Sequence, residues 1–263
     1  MPVEYLNRIN IFIQIVVVMG MIVRSISLVR KSSRPMLAAY FTFGCISFVM
    51  SDMYWLAYSF INPGERMPFA ANEFGESASF LLFVSVLIFA FQNIFDGAVR
   101  EIVLTGIFTA ANIALWIGWS GEWLQDIAGG IIFGFFLCAS VCSLKQTEAL
   151  SRREWAGLLT GSYCLVILQA LIFFLPEKMK KPVDVLCYVI MYVLILFFFY
   201  KMIRAILRDR NIDTGFTLSF AAFGWTVVSL YMSAEPIYEL TGLFTTIIFL
   251  FMLDAFGKKV WES

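Results

Sequence analysis

Ser77–Phe95 reads SASFLLFVSVLIFAFQNIF, a stretch with no charged residue and mostly large apolar side chains. A run of about 18 or more such residues is long enough to cross the hydrocarbon core of a bilayer as a helix. Backbone groups cannot stay unpaired in lipid, so a spanning stretch is either a helix or part of a closed barrel. Barrel strands are short and alternate in polarity, whereas this stretch is solidly apolar. The helix reading therefore sets the fold class.

Windows of the same kind recur at Ile102–Gly121, Ile127–Leu144, Trp155–Pro176 and Thr214–Ala234. The whole chain is 60% apolar and 14% charged, where a soluble domain carries about a quarter charged residues. Adding the shorter windows gives nine segments, at 9–29, 36–61, 73–95, 101–120, 127–145, 155–176, 183–206, 214–233 and 239–256. The expected architecture is an all-α integral membrane bundle of about nine transmembrane helices, eight being the alternative count. It forms a single polytopic domain over 1–263. The first and last segments have the shortest uncharged cores. Arg24 lengthens the first by extending its stem toward the interface.

Lys and Arg concentrate in cytoplasmic loops. An external N-terminus and a cytoplasmic C-terminus leave only Arg8, Arg66, Lys178, Lys180 and Lys181 outside, out of 19 Lys and Arg. Removing one helix would put later basic loops on the wrong side. The loop Glu177–Lys181 dissents, since it places three lysines outside. The short connections point to a bacterial cytoplasmic membrane. Arg30–Arg34 and Arg208–Arg210 are expected to touch anionic lipid headgroups.

The composition also excludes chemistry. There is no histidine, which removes imidazole bases, histidine metal sites and histidine pH switches. Cys45, Cys138, Cys142, Cys164 and Cys187 all lie in apolar windows and read as packing residues. No metal or cofactor is expected. Zero net charge gives no reason to expect a nucleic-acid partner. A microbial rhodopsin needs a lysine in its last helix, and Leu240–Leu253 has none. Alkaline ceramidases bind zinc through histidine. S51-D-M-Y-W is similar to the first aspartate region of bacterial lysoplasmalogenases, but Gly224–Met232 holds no second aspartate, and no kinship is drawn.

An ionisable group at membrane depth usually faces a cavity or a partner. Asp52 is such a group, with 17 uncharged residues before it and 12 after. If Asn62 and Pro63 end the helix, Asp52 lies about 15 Å below that end. The plain alternative is a neutral aspartic acid bonded to a neighbouring helix. Glu73 and Glu76 lie three apart at the start of the third segment and share a face. A helix N-terminus favours carboxylates, which is a sufficient structural reason for both. With Arg66 in the connecting loop and Tyr54, Trp55 and Tyr58 as aromatic walls, these residues are expected to surround one outward-facing acidic cavity.

Two functions follow as expectations. One is a protein that binds a small molecule or lipid in that cavity, as a transporter or as a sensor signalling through a separate output protein. The other is an intramembrane enzyme, such as a lipid hydrolase, that uses Asp52 and a nearby carboxylate as acid and base. Membrane lipids are expected partners of either. Gln14, Asn112 and Gln169 read as interhelical glue. Gly130, Gly134, Cys138 and Cys142 form a small-residue stripe for close packing, and Glu235 and Glu239 read as a solvated acidic rim.

Overall fold

The computed structural model describes residues 2–32, 34–62, 71–121, 123–233 and 237–261. Among them run nine α-helices and no strand. They are α1 (Pro2–Lys31), α2 (Pro35–Ile61), α3 (Ala71–Ala90), α4 (Val99–Ser120), α5 (Trp123–Gln146), α6 (Arg152–Ile172), α7 (Glu177–Ile203), α8 (Ile212–Tyr231) and α9 (Ile237–Trp261). Eight are long and apolar enough to cross a membrane, so the chain is an integral membrane protein.

The ninth, α8, falls short in hydropathy for a physical reason. Every residue from Gly215 to Ser229 is buried, against other helices rather than lipid. A helix enclosed by protein can carry the Thr217, Ser219, Thr226 and Ser229 hydroxyls, because its own backbone satisfies them. Thr226 donates to Phe223 O and Ser229 to Trp225 O, both at 2.8 Å. The lipid-facing helices instead turn out apolar side chains such as Phe12, Val23, Phe43, Phe135 and Val193.

Aromatic rings fill the space around α8. Phe41 of α2 stacks on Phe256 of α9 at 4.0 Å between centroids. Phe83 of α3 meets Phe220 and Phe223 edge-on at 5.7 and 5.8 Å. Offset and edge contacts of this kind stabilise by about 0.5–1.5 kcal/mol each beyond the area they bury.

Small residues set the closest approaches. A Cβ added to Gly130 would lie 2.4 Å from Ile113 of α4, and one on Gly134 would lie 2.5 Å from Thr109. The stripe on α5 thus seats α4 within the same chain. On the other flank, Gly75 of α3 rests against the Ser47 carbonyl of α2.

The basic loops carry ion pairs. Lys145 bonds Glu101 at 2.8 Å, Lys201 bonds Glu154 at 2.9 Å, and Lys259 pairs with Asp213. After α7 the chain winds one π-helical turn, Arg204–Arg208, which the sequence did not signal. At the opposite end Lys180 pairs with Glu177 in the first turn of α7. Both α6 and α7 have spanning length, and Glu177–Lys181, expected as a loop, forms the first turns of α7.

Candidate functional site

Asp52 lies on the inner face of α2 and is 8% exposed. Phe48 and Cys45, one and two turns earlier on that face, are also buried. Gln14 of α1 and the Glu76 carboxylate of α3 both stand within electrostatic range of Asp52. Gln14 in turn accepts from Thr246 of α9 at 3.3 Å. Gln14 therefore ties α1 to α9 and lies beside Asp52 of α2. The second carboxylate oxygen of Asp52, Oδ2, is buried with no hydrogen-bond partner among the described residues.

Glu76 is held from two sides. Ser51 donates to Oε1 at 3.4 Å and Tyr231, the last residue of α8, donates to Oε2 at 2.6 Å. Tyr238 of α9 lies within electrostatic range of both Glu76 and Asp52. Four helices besides α2 thus contribute polar groups around Asp52 and Glu76. This is possible because Gly75 lets α3 lie against α2 beside Ser51.

A cavity of about 290 Å³ opens on the far side of Tyr231, among α3, α4, α5 and α8. Glu73, Gln125 and Asp126 supply its polar wall, and Trp116, Trp119 and Tyr231 its aromatic one. Gln125 donates to Glu73 and Ser120 to Asp126, which ties α5 to the ends of α3 and α4. Trp116 meets Tyr231 edge-on at 5.4 Å between centroids, and Trp119 stacks on Phe173 at 5.9 Å. The Trp116 indole nitrogen has no acceptor among the described residues. Gly129 and Gly130 also line it; a Cβ on Gly130 would collide with Ile113, whereas one on Gly129 would meet nothing within 4 Å. The described lining carries two carboxylates and no basic side chain.

The expected residues are therefore distributed as follows. Glu73 lines this cavity, Glu76 is bonded to its Tyr231 wall without lining it, and Asp52 is outside the lining, within electrostatic range of Glu76. Tyr54 is 41% exposed on the outer side of α2 and Trp55 is half-buried, and neither lines this cavity. Arg66 falls outside the described residues, as does Glu235. Glu239, expected on a solvated rim, is 5% exposed because its turn of α9 packs against α1, where Asn10 donates to its carbonyl at 3.1 Å.

Sequence reading did not associate Trp116, Gln125, Asp126 and Tyr231 with the site, because they lie 40 or more residues from Glu76 in the chain. Among the described residues no three Cys, Asp or Glu side chains converge as a metal site would require. No family model matches the chain, and no curated protein or solved structure is significantly similar to it.

Proposed function

We propose that this protein binds a small organic cation in the cavity among α3, α4, α5 and α8, as a transporter or as a sensor acting through a separate output protein. The membrane is taken to be a bacterial cytoplasmic membrane, with the cavity opening outward. Glu73 and Asp126 meet the charge, while Trp116, Trp119 and Tyr231 offer ring faces. Glu76 and Asp52 act from behind the wall. The observation that carries this reading is the pairing of carboxylates with aromatic faces around one space of ligand size.

The physical basis is twofold. A cation over an aromatic face gains about 0.5–2 kcal/mol, more where water is excluded. A carboxylate at the same site adds an interaction that is strong in a medium less polar than water. A neutral lipid tail would use the apolar faces but gain nothing from the Glu73 and Asp126 carboxylates.

The test uses the cavity's own tryptophans. Purified protein in detergent is titrated with tetramethylammonium, choline and benzyltrimethylammonium while tryptophan emission is recorded. Saturable change with at least one of them is expected. Affinity is expected to fall about tenfold, or 1.4 kcal/mol, in both Glu73→Gln and Asp126→Asn. If none of the three produces saturable change at millimolar concentration, or if both variants bind as the unaltered protein does, the reading is wrong.

A further inference from the structure

A second space lies at the opposite end of α4, where the chain enters that helix. It is a groove of about 80 Å³, lined by α4, α5 and α6, with α7 and the enclosed α8 behind them. Leu104 of α4, Leu137 of α5 and Leu158 and Leu159 of α6 give it apolar walls. The space exists because Thr105, Ser140 and Ser162 are small where a larger side chain would fill it. Leu104 and Leu159 are half-buried, so the groove is open to the surroundings of the bundle.

Its two ends differ in chemistry. Three rings close the deep end: Phe108 stacks on Trp225 at 6.1 Å between centroids and meets Tyr163 edge-on at 6.2 Å. Tyr163 also donates to the Leu104 carbonyl at 2.8 Å, tying α6 to α4. Arg100, Glu101 and Trp155 line the mouth. Glu101 receives Lys145 at 2.8 Å, and Glu154, beside Trp155, receives Lys201 at 2.9 Å, so both carboxylates have cations of their own. Arg100 is exposed, as are Arg152 and Arg153 at the start of α6. The mouth thus offers positive charge beside a tryptophan, the ring type that settles at headgroup depth.

The dimensions select the occupant. Eight residues of α4 separate Arg100 from Phe108, about 12 Å of helix. One leaflet's hydrocarbon is about 15 Å deep. A water-sized group needs about 10–15 Å³, so the enclosed part holds about six methylenes of one chain. A partner helix, about 10 Å across with its side chains, is too wide to enter. A lipid with a net neutral headgroup would gain less from the exposed arginines at the mouth.

We propose that the groove between α4 and α6 binds one acyl chain of an anionic phospholipid, with the phosphate on Arg100 and the chain directed toward the rings of Phe108, Tyr163 and Trp225. This site is separate from the cation cavity and does not rest on it.

Trp225 reports on the groove from within. Protein is reconstituted in phosphatidylcholine vesicles containing increasing fractions of phosphatidylglycerol with brominated chains, since bromine quenches tryptophan emission on contact. The emission difference between the unaltered protein and Trp225→Phe isolates Trp225, which is 5% exposed and shielded from lipid that merely surrounds the bundle. Trp225→Tyr serves should that variant fail to fold. Half-quenching of Trp225 is expected at about fivefold less phosphatidylglycerol than brominated phosphatidylcholine, the ratio that about 1 kcal/mol from one basic side chain gives. Arg100→Gln is expected to bring the two lipids level. Ser162→Leu, which fills the groove, is expected to protect Trp225 from both. Equal quenching by the two lipids in the unaltered protein, or a preference that survives Arg100→Gln, overturns the proposal at the headgroup. Trp225 emission that neither lipid quenches, or that is quenched as strongly in Ser162→Leu, overturns it at the chain.

Discussion

Tyr231 and Glu76 are 155 residues apart in the chain, and the phenol of one donates to the carboxylate of the other at 2.6 Å. This bond fixes the end of α8 to the start of α3. Tyr231→Phe leaves the ring contacts with Trp116 and Phe133 but removes the donor. Tyr231 is 42% exposed, so the loss is expected at the modest end for a bond to a charged group, about 1–1.5 kcal/mol. Thermal unfolding in detergent, followed by tryptophan emission, checks it. An unchanged midpoint would mean that the bond contributes nothing to holding α8.

Two glycines with different surroundings should respond in opposite directions. An added Cβ on Gly75 would meet the Ser47 carbonyl at 2.9 Å and Ser51 Cβ at 3.0 Å, neither of which is a flexible side-chain end. Gly75→Ala is expected to push α3 off α2 at a cost of about 1–3 kcal/mol. Gly157 has nothing within 4 Å of that position. Gly157→Ala is expected to stabilise α6 by about 0.5–1 kcal/mol through backbone entropy alone. Paired unfolding curves of the two variants decide the matter.

The turn before α6 is closed by reciprocal bonds between Ser151 and Glu154. The Ser151 amide donates to Glu154 at 2.7 Å, and the Glu154 amide donates back to the hydroxyl at 3.4 Å. Glu154 also receives Lys201 of α7 at 2.9 Å. Ser151→Ala is expected to destabilise by about 1 kcal/mol. Combining it with Lys201→Ala should give less than the sum of the two single effects, since both changes act on one carboxylate. Strict additivity in a double-mutant cycle would show that the cap and the ion pair are independent.

Orientation has its own measurement. With fourteen basic residues assigned to the cytoplasmic side, the expected topology puts Lys178 outside and Arg153 inside. Both side chains are exposed at the ends of the bundle. In intact bacterial cells, Lys178→Cys is expected to react with a membrane-impermeant maleimide, and Arg153→Cys only after the membrane is opened. The native cysteines all lie within helices and give the background. The opposite labelling pattern would invert the topology and turn the acidic cavity toward the cytoplasm.

Part of the site was legible in the chain and part was not. Asp52 is conspicuous because a carboxylate interrupts an otherwise uncharged window, and Glu73 and Glu76 share a face by helical spacing alone. Gln14 was visible as a lone amide, but nothing in its own segment connects it with a residue on α2. Tyr231 and Trp116 look like the ordinary aromatic residues of helix ends. Their place in the wall depends on how α4 and α8 pack, which local periodicity does not encode. Tyr54 shows the reverse error: its nearness to Asp52 in sequence suggests a shared wall, yet adjacent residues on a helix point about 100° apart, and two steps carry Tyr54 to the outer side.

The sequence by itself determined that the chain is helical and membrane-embedded, because lipid offers backbone groups no partner and long uncharged windows have no other stable form. It also excluded imidazole chemistry by composition. Only the tertiary structure decided which helix is enclosed, which carboxylates become neighbours and where the cavity opens. Those outcomes depend on close contacts such as Gly75 on Ser47 and Gly130 on Ile113, and such contacts are properties of packed pairs of helices rather than of either helix alone.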